Sequence, residues 1–293
     1  MKTYVFGDTG GHLPPLLSSL QKIGVDFTSF TIPENVTIVH LGDLIHKGIY
    51  SDELVTIVNK LIENNPGKWI QLFGNHEFQH IKGAPYFWSC NCSAQTISIL
   101  NNWYDNKTAR ASYFIAPREN FSLPEPFFNI PKSLKFNSDL LSNKGILFSH
   151  AGLTFDFWES IVSPDSARTA SKRINSLTVH EVSRPGVMLT GHKVGSRAGP
   201  VWALSTVEVF ASWEKSKIEH IPFIQVHGHS PAYNWAYKSW HAGTPMVFRN
   251  QTRLDVENRI IYTYNKNSLQ ICLDPGFGKD FDLLSQPYLV VNH

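Results

Sequence analysis

At 293 residues, with 42% hydrophobic and 17% charged side chains, the chain has a globular composition and enough length to bury a substantial core. A net charge of +2 gives no general reason to bind nucleic acid or an anionic membrane, and no apolar run approaches a membrane span. Cys90, Cys92 and Cys272 form no disulfide framework and fit a reducing, cytoplasmic setting, and no signal peptide is expected because the first strand begins at Lys2.

Residues 2–6 read as a strand ending in Gly7, Asp8, Thr9, Gly10 and Gly11, glycines that permit a tight turn against an ion or phosphate. Leu13, Leu16, Leu17 and Leu20 then recur at helical spacing within residues 12–23, and Pro14 and Pro15 fall in the first turn, where proline is tolerated. A buried strand from Val36 to Leu41 delivers Gly42 and Asp43 onto a loop. Ser51 is the expected N-cap of a helix whose core stripe is Leu54, Val55, Ile57, Val58, Leu61 and Ile62, ending at a break over residues 64–67. The third strand, residues 69–73, leads to Asn75 and His76. This alternation implies parallel pairing with right-handed crossovers.

Residues 79–142 break the rhythm. They are aromatic (Phe87, Trp88, Trp103, Tyr104, Tyr113, Phe114, Phe121, Phe127, Phe128), with prolines from Pro85 to Pro131, and read as a substrate wall or as packed structural loops. The Cys90/Cys92 pair has metal-binding spacing, although ordinary thiols in a loop are the simpler reading. A fourth strand at residues 145–148 ends at Ser149 and His150. Residues 154–222 form a second insertion, helical near 165–175 and 206–215, and hold Arg168, Lys172, Arg173, Arg184, Lys193 and Arg197. A further strand precedes His227 and His229. Residues 259–264 and 269–273, separated by a turn at 265–267, read as an antiparallel hairpin. The whole reads as a single domain over residues 1–293, with the two insertions grafted onto it.

Singly, each strand-end Asp, Asn or His is an ordinary turn or a hydrogen-bonded structural residue. Several in order, each after an apolar strand, are hard to produce by chance. Open α/β sheets carry their chemistry at the carboxyl edge, and these side chains suit divalent first-row metals. The expectation is a two-metal hydrolytic centre with Asp43 bridging the ions.

On FGDTGGH, LGDLIHKG, FGNHE, SHAGL, VHGHSP and the closing ICLDPGFG, the sequence resembles the calcineurin-like metallophosphoesterases. It is most similar to the branch of serine/threonine protein phosphatases and dinucleoside-tetraphosphate hydrolases. The resemblance implies an α/β fold, a four-layer αββα sandwich with mixed sheets. It also implies that Asp8 and Asp43 bind a first metal, while Asp43, Asn75, His150 and His229 bind a second. Manganese is the first expectation, with iron, zinc, nickel or cobalt as alternatives. Such a pair, roughly 3.5–4 Å apart, clamps a phosphoryl group and generates a bridging hydroxide for attack on phosphorus. His76 would be the general acid.

The departures are local. The family places a histidine two residues after its first aspartate, where this chain has Gly10; His12 is the expected replacement ligand, with His227 as the other candidate. The family's Asp-Arg pair reads His46 and Lys47 here, and lysine keeps the charge for phosphate without the bidentate fork. Arg197 is a second phosphate-contact candidate. Pro231 stands where a diesterase-type site has a second histidine, which favours phosphomonoesters or nucleotide phosphoanhydrides. The expected partner is therefore a phosphorylated small molecule, nucleotide or protein, with no membrane. Serine/threonine protein phosphatase activity is one alternative, and a catalytically degenerate binding module of the same fold is another.

Overall fold

The computed structural model describes residues 1–81, 84, 92–117, 143–162, 165–190, 197–277 and 283–292. Phe87, Trp88, Cys90, Phe121, Phe127, Phe128 and Lys193 lie outside them.

Three strand and helix alternations open the chain: β1 (Lys2–Phe6), α1 (Leu13–Lys22), β2 (Val36–His40), α2 (Ser51–Asn64), β3 (Trp69–Leu72) and the one-turn α3 (Asn75–Phe78). They are followed by α4 (Ala94–Asp105), β4 (Ala109–Arg110), β5 (Ser112–Ile115) and β6 (Ile146–Ser149). Then come β7 (Ile224–His227), the short pair β8 (Tyr233–Asn234) and β9 (Ser239–Trp240), β10 (Thr252–Asp255), β11 (Ile260–Asn265), β12 (Ser268–Cys272) and β13 (Tyr288–Asn292). One sheet has the order β13-β1-β2-β3-β4, and a second has the order β10-β11-β12-β7-β6-β5. Both are mixed: β1 to β4 are parallel with β13 antiparallel at the edge, while β12, β7 and β6 are parallel and flanked by antiparallel neighbours.

Alternation along each strand decides which face it buries. Val5, Val39, Leu41, Ile70 and Leu72 of the first sheet pack against Phe148, Ile224, Val226, Leu269 and Ile271 of the second. The neighbouring Phe6 and Ile38 face outward into the side chains of α1 and α2, including Leu16, Leu20, Leu54, Val58 and Leu61. On the far side Leu147 meets Ala167, Ala170 and Ile174 of the helix Ala167–Ile174. The layers are thus helices, sheet, sheet, helices. Full burial of each such aliphatic side chain contributes roughly 1.5–3 kcal/mol, so a one-residue slip, which would exchange the faces, is strongly disfavoured.

Residues 109–115 lie within the segment that breaks the sequence rhythm, and they supply an edge strand to each sheet, with Ala111 alone between β4 and β5. The β11/β12 hairpin forms as expected, closed by Lys266 and Asn267 at φ 47° and 54°. Ser51 is not the N-cap. Tyr50 holds that position, and the Ser51 hydroxyl instead accepts the His46 N–H at 2.9 Å, because the loop before the helix has the greater need of an acceptor. Among the described residues no helix is long and apolar enough to cross a membrane.

Candidate metal centre

The loops after β1 and β2 carry Asp8 and Asp43, the first turn of α3 after β3 carries Asn75 and His76, and the loops after β6 and β7 carry His150 and His229. Parallel strands bring these carboxyl ends to one edge of the sandwich. The loop after β2 takes an unusual path, with Asp43 itself left-handed at φ 55°. It is held by one buried carboxylate: Glu77 accepts the N–H groups of Asp43 at 2.8 Å, Leu44 at 2.7 Å and Gly74 at 2.8 Å. Burial, with Asp43 close by, pushes the Glu77 carboxyl up to about 7 against the pull of those donors. The sequence motif showed Glu77 but not this tethering role. A side chain at Gly74 would overlap Asp43 Oδ1, so only glycine lets the two loops meet.

Around Asp43 the donors converge. Its Oδ1 accepts the His76 N–H at 3.0 Å and lies 3.4 Å from His150 Nε2. His150 Nε2 is also 2.9 Å from Asn75 Oδ1. His150 Nδ1 donates to the Leu41 carbonyl at 3.0 Å, so in the neutral ring Nε2 presents a lone pair to Asn75 and Asp43. The His229 N–H donates to Asp8 Oδ1 at 2.9 Å, while its own Nε2 and Asp8 Oδ2 are buried without hydrogen-bond partners. Ligand atoms of Asp43, His150 and His229 all lie within 4.8 Å of one another.

The electrostatics match unmet demand for a cation. Burial pushes Asp43 up to about 7, with Lys47 opposing. Burial, Asp274 and Asp43 push Asp8 well above its ordinary value. Burial, followed by the nearby His150, holds His229 well below its ordinary value and keeps its lone pair available. Asp274, buried after β12, acts on Asp8, Asp43 and Lys47, and its Oδ1 accepts the Gly276 N–H at 2.8 Å. Its Leu-Asp-Pro-Gly turn was visible in the sequence, but no site role was attached to it.

The donor set around Asp43, Asn75, His150 and His229 fits a divalent first-row ion: one carboxylate, one amide oxygen and two imidazoles. The 2.9 Å separation of Asn75 Oδ1 and His150 Nε2 is the spacing of adjacent ligands at right angles on bonds of about 2.0–2.1 Å. The first-metal position is less complete. His12 stacks on Phe277 at 4.9 Å, places Nδ1 3.1 Å from the Thr9 carbonyl, and belongs to neither of the two ligand clusters found among the described residues. Gly10, at φ 55°, faces Lys47, whose Cδ would lie 3.1 Å from a Cβ placed there. The lysine stem thus lies over the glycine that replaces the family's histidine. Burial acts to lower the Lys47 pKa, but Asp274, Asp8, Asp43 and Glu77 together hold it above its ordinary value.

His76 Nε2 lies 3.7 Å from Asp43 Oδ2, and its Nδ1 is 2.7 Å from His46 Nδ1. Burial, with Lys47 and His150 beside it, pushes His76 down to about 3. His227 is turned to structure: Nδ1 donates to the Gly228 carbonyl and Nε2 accepts from Gln270, each at 3.1 Å. Arg197 is exposed, three residues before Pro200, whose carbonyl accepts the Ala151 N–H of the His150 loop at 2.6 Å.

Fold and donors together describe an α/β sandwich with a candidate metal site at the strand ends. The chain belongs to the calcineurin-like phosphoesterase family, whose model matches residues 1–257. It is 34% identical over 86 residues to an uncharacterised protein of Schizosaccharomyces pombe, a match spanning 27% of this chain and 26% of that relative. Among solved structures it is similar to the cold-active protein-tyrosine phosphatase of a psychrophilic Shewanella species, with 13% identity and a TM-score of 0.48 over 99% of this chain and 74% of that one. A protein provisionally described as a diadenosine tetraphosphatase is similar at 14% identity and a TM-score of 0.37, over 94% of this chain and 83% of that one.

Proposed function

We propose that the chain is a metal-dependent phosphoesterase of the phosphatase-like kind, acting on phosphomonoesters or nucleotide phosphoanhydrides in the cytoplasm. The observation that carries this reading is the approach of Asn75 Oδ1 and His150 Nε2, whose other nitrogen is already committed to Leu41. Two such groups held together in a buried site are placed to share a cation.

Asp43, Asn75, His150 and His229 would hold a divalent ion, manganese in the first instance. Asp8, sharing Asp43, would bear on a second, with His12 its candidate nitrogen ligand and Lys47 supplying fixed positive charge beside it. Bound ions supply the Lewis acidity that polarises a phosphoryl group and acidifies water. The chain's own residues do the rest. Lys47 faces the phosphoryl oxygens as a point charge, and Arg197 is a second contact for an extended substrate. His76, with Nε2 toward Asp43 and Nδ1 against His46, would pass a proton to the leaving oxygen once the negative charge of a bound phosphoryl group offsets the burial that pushes its pKa down.

Metal analysis of the purified chain, followed by p-nitrophenyl phosphate hydrolysis with added manganese, tests the proposal. A panel of phosphopeptides, mononucleotides and dinucleoside polyphosphates then sorts the substrate class, serine/threonine phosphatase activity included. Gly10, His46 and Lys47 favour a second reading, a degenerate binding module. Retained metal without turnover on any member of the panel would support that reading, and absence of metal would sink both.

A further inference from the structure

Beside the strand-end centre, three side chains of zinc-ligating type meet. His46 Nε2 lies 3.2 Å from His80 Nε2, and the sulfur of Cys92 completes a group whose ligand atoms all fall within 4.8 Å of one another. We propose that His46, His80 and Cys92 form a separate site for a thiophilic divalent ion, zinc, on the flank of the candidate active site.

The geometry is close to what zinc requires. Two imidazole nitrogens on one tetrahedral zinc, with bonds of about 2.0–2.1 Å, sit roughly 3.3–3.4 Å apart. The observed separation of 3.2 Å therefore needs almost no movement of either ring. The sulfur needs only a modest approach, and a water can take the fourth position. A thiolate with two imidazoles favours zinc over manganese or magnesium, which prefer oxygen. Binding releases the thiol proton, while the proton shared by the two Nε2 atoms moves to the other nitrogen of its ring, so that both imidazoles bind in the neutral form.

The three ligands come from segments that other elements already pin. His46 stands at φ 70° with its N–H on the Ser51 hydroxyl at 2.9 Å. The His80 carbonyl accepts from the Asn101 amide at 3.1 Å. Cys92 precedes Ser93, whose N–H and hydroxyl both donate to Asp52 Oδ1, at 2.9 and 3.1 Å. Helices α2 and α4 thus hold the cluster in place before any ion arrives. Because His46 Nδ1 is 2.7 Å from His76 Nδ1, an ion here is one imidazole away from the candidate general acid.

The inference does not depend on the phosphoesterase reading. Cobalt(II) added to the metal-free, full-length chain should give a thiolate-to-cobalt charge-transfer band in the near ultraviolet. Cys92→Ser and His80→Gln should each abolish that band and lower zinc content by one equivalent, whereas Asn75→Ala, which removes a ligand of the strand-end centre, should keep the band. Circular dichroism reports folding; if one variant fails to fold, the other decides. Absence of the band in the wild-type chain, or its survival in a folded Cys92→Ser or His80→Gln chain, overturns the site.

Discussion

Asn75 Oδ1 and His150 Nε2, contributed by different sheets, lie 2.9 Å apart. His150 Nδ1 donates to the Leu41 carbonyl, which fixes the ring's orientation as well as its tautomer. His150→Ala is therefore expected to lower metal affinity by at least about tenfold and to abolish most turnover, while the fold persists. Equilibrium dialysis with elemental analysis checks this. Wild-type metal content in the variant would remove His150 from the ligand set.

His76→Ala should separate chemistry from binding. Its ring makes no part of the Asp43, His150 and His229 cluster, so metal content should stay at the wild-type level. Turnover of alkyl phosphates should fall by about 10²–10⁴, with a much smaller loss on p-nitrophenyl phosphate, whose leaving group needs little protonation. Equal losses on both substrates would assign His76 a structural role.

Lys47 is exposed at the rim while its charge bears on Asp8, Asp43 and Asp274. Lys47→Met should weaken competitive inhibition by inorganic phosphate by about tenfold or more, the scale of one charge-assisted hydrogen bond. Lys47→Arg should recover most of it. An inhibition constant unchanged in Lys47→Met would mean that the ammonium does not face the phosphoryl group.

His40 gives a pH dependence of known sign. Its Nε2 lies 2.8 Å from the Thr9 hydroxyl, which donates to Gln286 Oε1 at 2.9 Å, and its Nδ1 accepts the Gly42 N–H at 3.2 Å. Burial, with His150 nearby, pushes it down to about 3. Between that value and the ordinary 6.5, the unfolded chain holds a proton that the folded chain rejects. The contribution of this residue to stability is therefore complete above about pH 6.5 and is lost as pH falls. His40→Gln should reduce the slope of unfolding free energy against pH by about 1.4 kcal/mol per unit between pH 4 and 6, measured by urea titration.

Strand ends and their ligand-type residues were legible in the sequence because they are local: an apolar run, a glycine, then a donor. Asp43, Asn75, His150 and His229 announce themselves in this way, and the parallel alternation implies that they meet. What was not legible depends on contacts across the chain. Glu77 tethers a loop more than thirty residues away, and Ser51 serves His46 rather than its own helix. The two-residue β4 and the neighbouring β5 carry too little periodic signal to show that residues 109–115 finish both sheets. His12 illustrates the limit from the other side. Chain proximity to Asp8 makes it a candidate ligand, whereas its stacking on Phe277, a residue far away in sequence, has no local signal.

The donors divide by sheet: Asp8, Asp43 and Asn75 follow strands of one, His150 and His229 strands of the other. An ion seated among them would act as a rivet through the sandwich, and its binding free energy would add directly to resistance against unfolding. Free-ion concentration would then set the melting temperature, contributing about 2.7 kcal/mol at a hundredfold excess over the dissociation constant. A chelator would loosen the two halves at the edge where buried acids are left facing one another.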